Sequence, residues 1–308
     1  MRDHILQHKK PLIVIIGPTA SGKTGFAIKV AKWIDKELKE DFAEWRSGAE
    51  IVNGDSRQLY RGMDIGTAKV TEQEMDKIPH HLFDVLTPDQ EVTVAWYKER
   101  AERMIEEIQA RGNVPILVGG SMLYISAITD GLTPIDPAPP ELRARLELEY
   151  EQDKGETLYK QLMKIDPDTA LAFHKNNKPY VVRAMEIFWS TGRKPSEVKT
   201  KDGSKFDVFM FGMDLPKAIL DERIEARTEQ MLSQGWINEV EHLLDMGYSP
   251  FSPGMKSVGY REIAEYIRTG ETMSREELAE LITRKTRQYA KRQVTWWRNN
   301  PKINWIEP

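Results

Sequence analysis

A short stretch near the start constrains this chain more than anything else in it. Gly17-Pro18-Thr19-Ala20-Ser21-Gly22-Lys23-Thr24 satisfies G-x-x-x-x-G-K-[ST] at every position. It follows the unbroken aliphatic run 12–16 and precedes a segment, 26–38, with Phe26, Ile28, Val30 and Ile34 at mostly helical spacing. Strand, glycine loop and helix in that order is the context that gives the motif its meaning. The glycines let the backbone wrap an anion. The start of the helix adds unpaired N–H donors and a favourable dipole. Lys23 adds a point charge, and the Thr24 hydroxyl can hold Mg²⁺. A nucleotide is the default occupant, but any diphosphate fits the same cradle.

The same alternation continues. Residues 50–53 read as a second short strand and 93–110 as a helix with an inward stripe of Ala95, Ala101, Met104, Ile105 and Ile108. Residues 114–118 read as a buried third strand ended by Gly119-Gly120. Short aliphatic runs alternating with helices imply a parallel sheet covered on both faces. The prolines Pro134, Pro137, Pro139 and Pro140 then break the pattern. Beyond them only helical segments follow, at 142–150, 157–164 and 180–190, until 206–211 returns to the sheet. A long helix over 217–246, interrupted near Gly235, leads into a helical remainder with a loop at 255–259. The expected fold is α/β: a P-loop NTPase-like parallel sheet flanked by helices, with a helical insertion. Residues 1–131 form the first part of the core, 132–199 the insertion, and 200–308 the core completion with C-terminal helices.

Composition removes whole classes of function. With no cysteine among 308 residues, a disulfide framework, a thiolate zinc site, an iron–sulfur cluster and a cysteine nucleophile are all excluded. No apolar run reaches the ~20 residues of a membrane span, so a soluble, cytoplasmic protein is expected. The net charge of −4 gives no hint of a nucleic-acid partner, but it hides a local excess. Arg284, Lys285, Arg287, Lys291 and Arg292 crowd one predicted helix, with no acid between Arg284 and Ile306. Such clusters track phosphates, and a solvated helix face is the plainer alternative.

Two departures from nucleotide enzymes stand out. An acid of the Walker B type should end an apolar strand, yet 114–118 ends in Gly119-Gly120-Ser121. Asp55 does follow a strand, in the polar run Asp55-Ser56-Arg57-Gln58, at the end where open α/β sheets bind ligands. Asp55 is open to three roles: metal ligand, general base, or turn and helix cap. His80-His81 looks like a metal pair, but adjacent side chains point apart in regular structure, so a structural role is expected. Trp296-Trp297 is read as core rather than as a base-stacking pair.

Together these segments resemble the tRNA dimethylallyltransferase (tRNA isopentenyltransferase) family, in its bacterial form. The matching stretches are GPTASGKT at 17–24, NGDSRQLYRGMDIGTAK at 53–69, HHLFD at 80–84 and VGGSMLY at 118–124. RIEARTEQML at 223–232, VGYRE at 258–262 and TRQYAKRQVTWWR at 286–298 complete them. They span almost the whole chain.

The resemblance implies transfer of a dimethylallyl group from dimethylallyl diphosphate to the exocyclic N6 amine of an adenine. That adenine lies 3′ of the anticodon in tRNAs reading codons that begin with U. The glycine loop then holds the donor's diphosphate through Thr19, Ala20, Ser21, Gly22, Lys23 and Thr24, aided by Arg223 rather than Arg227, with Mg²⁺ on Thr24. Asp55 becomes the base for the adenine amine, and Ser121, at a usual threonine position, donates to the departing oxygen. The tRNA anticodon stem-loop meets Asp55, Ser56, Arg57, Gln58, Arg143, Arg183, Lys256, Gly259, Tyr260, Arg261, Arg284, Arg287, Lys291 and Arg292. The implied protein acts as a monomer, without a membrane. Departures are Ser121 itself, Pro179-Tyr180 in place of Gln-Arg ahead of Arg183, and Val70 after GTAK, a change expected to matter little. The competing reading is a P-loop kinase for a nucleoside monophosphate or small metabolite, with the helical insertion as its lid. A P-loop RNA-binding regulator without catalysis is a third.

Overall fold

The computed structural model describes residues 1–37, 48–131, 135, 138–198, 203–270 and 272–307. The chain divides into two compact units, one of residues 1–129 with 205–308 and one of residues 130–204.

In the first unit, helix α1 (Arg2–Gln7) precedes strand β1 (Pro11–Ile16), and α2 (Lys23–Glu37), β2 (Ala49–Asn53), α3 (Glu72–Met75), β3 (His80–His81), α4 (Val94–Ala110), β4 (Val114–Gly119) and α5 (Met122–Thr129) follow. All strands pair in parallel, in the order β3-β2-β4-β1, then β5 (Asp207–Met213) and β6 (Ile303–Ile306). β1 pairs Ile15 with Val118 on one side and Phe211 on the other. Its alternate residues serve different layers, as period-2 geometry requires. Leu12, Val14 and Ile16 join one cluster with Tyr97, Ile105 and Ile125, while Ile13 and Ile15 join another with Ile5, Ala27 and Ile34. Both faces are covered, so the strand reads as a continuous apolar run.

The second unit holds α6 (Pro140–Asp153), α7 (Glu156–Ile165), α8 (Pro167–Leu171), α9 (Lys178–Thr191) and α10 (Pro195–Val198). Its core is Leu146, Leu158, Leu162, Val181 and Met185. Asp166 caps α8 through Thr169 N–H and accepts a further bond from Ser196 N–H. Of the proline cluster expected as a break, Pro134 and Pro137 lie outside the described residues, while Pro139 and Pro140 stand at the start of α6.

The chain returns to the first unit through β5 into α11 (Lys217–Ser233), α12 (Trp236–Asp245), α13 (Tyr260–Arg268) and the long α14 (Arg275–Trp297). Gly235, at φ +98°, separates α11 from α12 where an interruption was expected. Two strands escaped the sequence reading: β3 is a residue pair without a run, and β6 pairs only Ile303–Ile306 with β5.

Candidate active site: a phosphate-type loop facing a carboxylate

The C-terminal ends of β1, β2 and β4 converge on a cavity of about 440 Å³. Thr19, Ala20, Gly22, Lys23 and Thr24 line one side. The loop's curvature requires left-handed backbone at Ala20 (φ +63°) and Gly22 (φ +84°); alanine holds that conformation at a cost of about 1–2 kcal/mol. Ser21 departs from expectation. Its side chain is fully buried, its hydroxyl has no hydrogen-bond partner, its N–H donates to Pro18 O at 3.3 Å, and it does not line the cavity. Lys23 donates to Pro18 O at 3.1 Å. Burial brings its ammonium down to about 8, against the opposing pull of Asp55 and with the repulsion of Arg227.

Asp55 stands across the cavity, one residue past the Gly54 that follows β2. Its backbone N–H donates to Asn53 Oδ1 at 2.8 Å, and Arg57 N–H donates to Asp55 Oδ1 at 2.8 Å. The turn role and the reactive position therefore coexist: one carboxylate oxygen closes an Asx turn and the group still faces the cavity. Arg223 and Arg227, one helical turn apart on α11, both line the space. Arg223 was expected here. Arg227 lies deeper, and burial lowers its pKa against the attraction of Asp55 and Glu74. It was legible as the second member of an i,i+4 pair.

Ser121 does not line this cavity. Its Oγ accepts from Ser56 N–H at 2.8 Å and lies 3.1 Å from Ser56 Oγ. Ser56 is spent on that contact. Gln58 lines the cavity but donates to Thr67 O and Ala68 O, and Arg57 donates to Pro253 O. These side chains brace loops, which short polar spacing alone could not reveal.

The basic residues sort by exposure. Lys256, Arg261, Arg284, Lys291 and Arg292 are exposed. Tyr260 is 0% exposed, so its side chain offers no RNA contact. It lies edge-on to Trp236, and its hydroxyl donates to Glu239 Oε1 at 2.5 Å. Gly259 is likewise buried, at φ +89° under the Trp236 ring, where a Cβ would overlap the indole. Arg287 leaves the basic cluster: it turns to α11, donating to Glu225 at 2.6 Å and to Asp221 O at 3.1 Å. In the helical unit Arg143 and Arg183 converge on the buried carboxylate of Glu186, at 3.6 and 3.2 Å.

Both histidines of the pair bond protein partners. His81 bonds Glu50 at 2.5 Å and His80 donates to Ile78 O at 2.7 Å. Among the described residues no group of three His, Cys, Asp or Glu could hold a metal ion. Trp297 is core, as expected, whereas Trp296 is 42% exposed.

Fold and site define an α/β protein of P-loop-like topology whose glycine loop faces a carboxylate just past the second strand rather than a Walker B acid. The chain belongs to the IPP transferase family, whose model matches residues 58–300. It is 39% identical over 302 residues to a tRNA dimethylallyltransferase of Geobacter sulfurreducens, covering 97% of this chain and 92% of that one. With a Symbiobacterium thermophilum tRNA dimethylallyltransferase the identity is 41% over 303 residues, covering 97% and 90%. Among solved structures, a tRNA isopentenylpyrophosphate transferase of Bacillus halodurans matches with a TM-score of 0.69 at 36% identity, covering 97% and 90%. A eukaryotic dimethylallyltransferase acting on tRNA matches with a TM-score of 0.75 at 27% identity, covering 97% of this chain and 74% of that one. These relatives do not favour the kinase reading.

Proposed function

We propose that this protein transfers a dimethylallyl group from dimethylallyl diphosphate to N6 of the adenine 3′ of the anticodon, in tRNAs reading codons that begin with U. The observation that carries the reading is the shared cavity of Asp55, Lys23 and the glycine loop in a chain of this family. The backbone N–H groups at the start of α2, with Lys23, Arg223 and Arg227, hold the diphosphate. Ile51, Val70, Phe83 and Val118 supply an apolar wall for the prenyl methyls. The adenine leaves the anticodon-loop stack to present its amine. N6 forms a bond to the allylic carbon as the carbon–oxygen bond breaks. The amine proton passes to Asp55, and the electron pair leaves with the diphosphate. For Ser121 to donate a hydrogen bond to the oxygen that departs, its hydroxyl turns from Ser56 Oγ toward the cavity that it borders without lining.

Thr24 suits Mg²⁺, because an ion held mainly by substrate phosphates and water needs only one or two protein oxygens. When bound, the ion neutralises charge on the diphosphate. The exposed Lys256, Arg261, Arg284, Lys291 and Arg292, and Arg143 and Arg183 on the helical unit, hold tRNA phosphates. The protein works as a monomer in the cytoplasm. Among the described residues no helix is long and apolar enough to cross a membrane. The test is incubation with radiolabelled dimethylallyl diphosphate, Mg²⁺ and undermodified tRNA. Label in the tRNA is expected. Unlabelled tRNA together with phosphoryl transfer from ATP would overturn the reading.

A further inference from the structure

We propose that Gln293 is a positioning residue that sets the spacing between the diphosphate loop and the strand end bearing Ser121. The proposal rests on the function given above. Gln293 sits on α14 with 1% of its surface exposed. Its Oε1 accepts from Thr19 N–H at 2.9 Å, and its Nε2 donates to Gly120 O at 2.8 Å. One side-chain amide thus bridges the loop after β1 and the loop after β4. Only a group with a donor and an acceptor on one short stem can do this. A carboxylate would set charge against the Gly120 carbonyl, beside the place where a diphosphate must bind.

The surroundings show that the bridge is built to close tolerance. A Cβ at position 120 would overlap Gln293 Nε2. Thr19 lines the cavity and precedes Ala20, the residue held at φ +63°. Fixing Thr19 therefore fixes the curve from which the following N–H groups point. The neighbouring Lys291 and Arg292 on the same helix are exposed. The helix that offers cations to RNA on one side thereby holds the leaving-group machinery in register on the other.

The test compares wild type with Gln293→Met, which keeps the shape and loses both bonds. A control, Ile105→Val, trims the core under α4 away from the site. Turnover at saturating substrates, affinity for tRNA without donor, affinity for inorganic pyrophosphate and the melting temperature are measured on each. The expected result is at least a tenfold loss of kcat and a fivefold weaker pyrophosphate affinity, with tRNA affinity within twofold of wild type. Unchanged kcat and pyrophosphate affinity would overturn the proposal. So would losses no larger than those of the control at an equal drop in melting temperature. If the methionine variant does not fold, Gln293→Asn, which keeps the amide but is too short to span both loops, carries the same comparison. Failure of the wild type to prenylate tRNA would refute the functional reading instead, and pyrophosphate affinity would still decide the role of Gln293.

Discussion

Glu239 is the most exacting place to test how the cavity wall is held. Its Oε2 accepts from Asp64 N–H at 2.9 Å and Ile65 N–H at 2.7 Å, and its Oε1 from Gly66 N–H at 3.2 Å and the Tyr260 hydroxyl at 2.5 Å. A single carboxylate thus gathers four donors, three from the loop that continues into the cavity residues Thr67, Ala68 and Val70. Glu239→Gln keeps the shape but points an amide N–H at donors. One oxygen must then give up its bonds, or the side chain must swing away. Charged acceptors are worth about 1.5–3 kcal/mol per bond, and an orphaned buried donor costs about 1–3 kcal/mol. The Asp64 N–H is exposed and can turn to water, so the expected loss is about 2–3 kcal/mol rather than the sum over all four. For a domain of this size that lowers the melting temperature by roughly 4–10 °C. Urea unfolding gives the energy, hydrogen exchange at Gly66 locates it, and the donor KM should rise because the wall loosens. A change below about 0.5 kcal/mol with Gly66 still protected would refute the argument that this carboxylate holds the loop.

Ser121→Ala should lower turnover at least tenfold with tRNA affinity unchanged, since a lost donor to a departing charge commonly costs that much or more; equal rates would remove Ser121 from the chemistry. Burial holds Lys23 near 8, so its charge is present below that pH and lost above it. The kcat/KM for the donor, which reports the free enzyme, should fall as pH rises past 8, and in Lys23→Met it should be lower and flat there. Burial would raise the Glu50 carboxyl, but the bonds from Arg111, Asn113 and His81 outweigh it and hold the group at about 2, against 4.5 when free. A lowered carboxylate stabilises the fold above about pH 4.5 and ceases to as pH falls toward 2. The contribution is about 3 kcal/mol at neutral pH. The urea midpoints of wild type and Glu50→Gln should converge between pH 4.5 and 2; a constant gap would refute this.

Sequence pattern revealed the elements that are locally determined. The runs behind β1, β2 and β4 are buried on both faces, so they announce themselves without partners. The glycine loop is likewise legible, because its spacing encodes backbone geometry. What escaped depends on distant packing. β3 is only two residues and is a strand because Ile51 and Val52 lie beside it. Arg287 reads as part of a basic stripe until Glu225, 62 positions earlier, takes its guanidinium. Tyr260 reads as a loop aromatic until Trp236 and Glu239 bury it. Gln293 is a polar residue in a helix, and nothing local shows that its two partners lie 173 and 274 positions away.

The end of β4 carries a consequence for how such a site could change. A Cβ at Gly119 would overlap the Gly54 carbonyl oxygen, and a Cβ at Gly120 would overlap the amide of Gln293. At Gly119 the obstacle is backbone and cannot give way, whereas at Gly120 it is the end of a side chain that would have to swing aside. The carboxylate that faces the glycine loop comes instead from one strand further out, as Asp55. An acid at Gly119 is thus excluded by the backbone itself, and one at Gly120 would displace the amide that bridges the two loops.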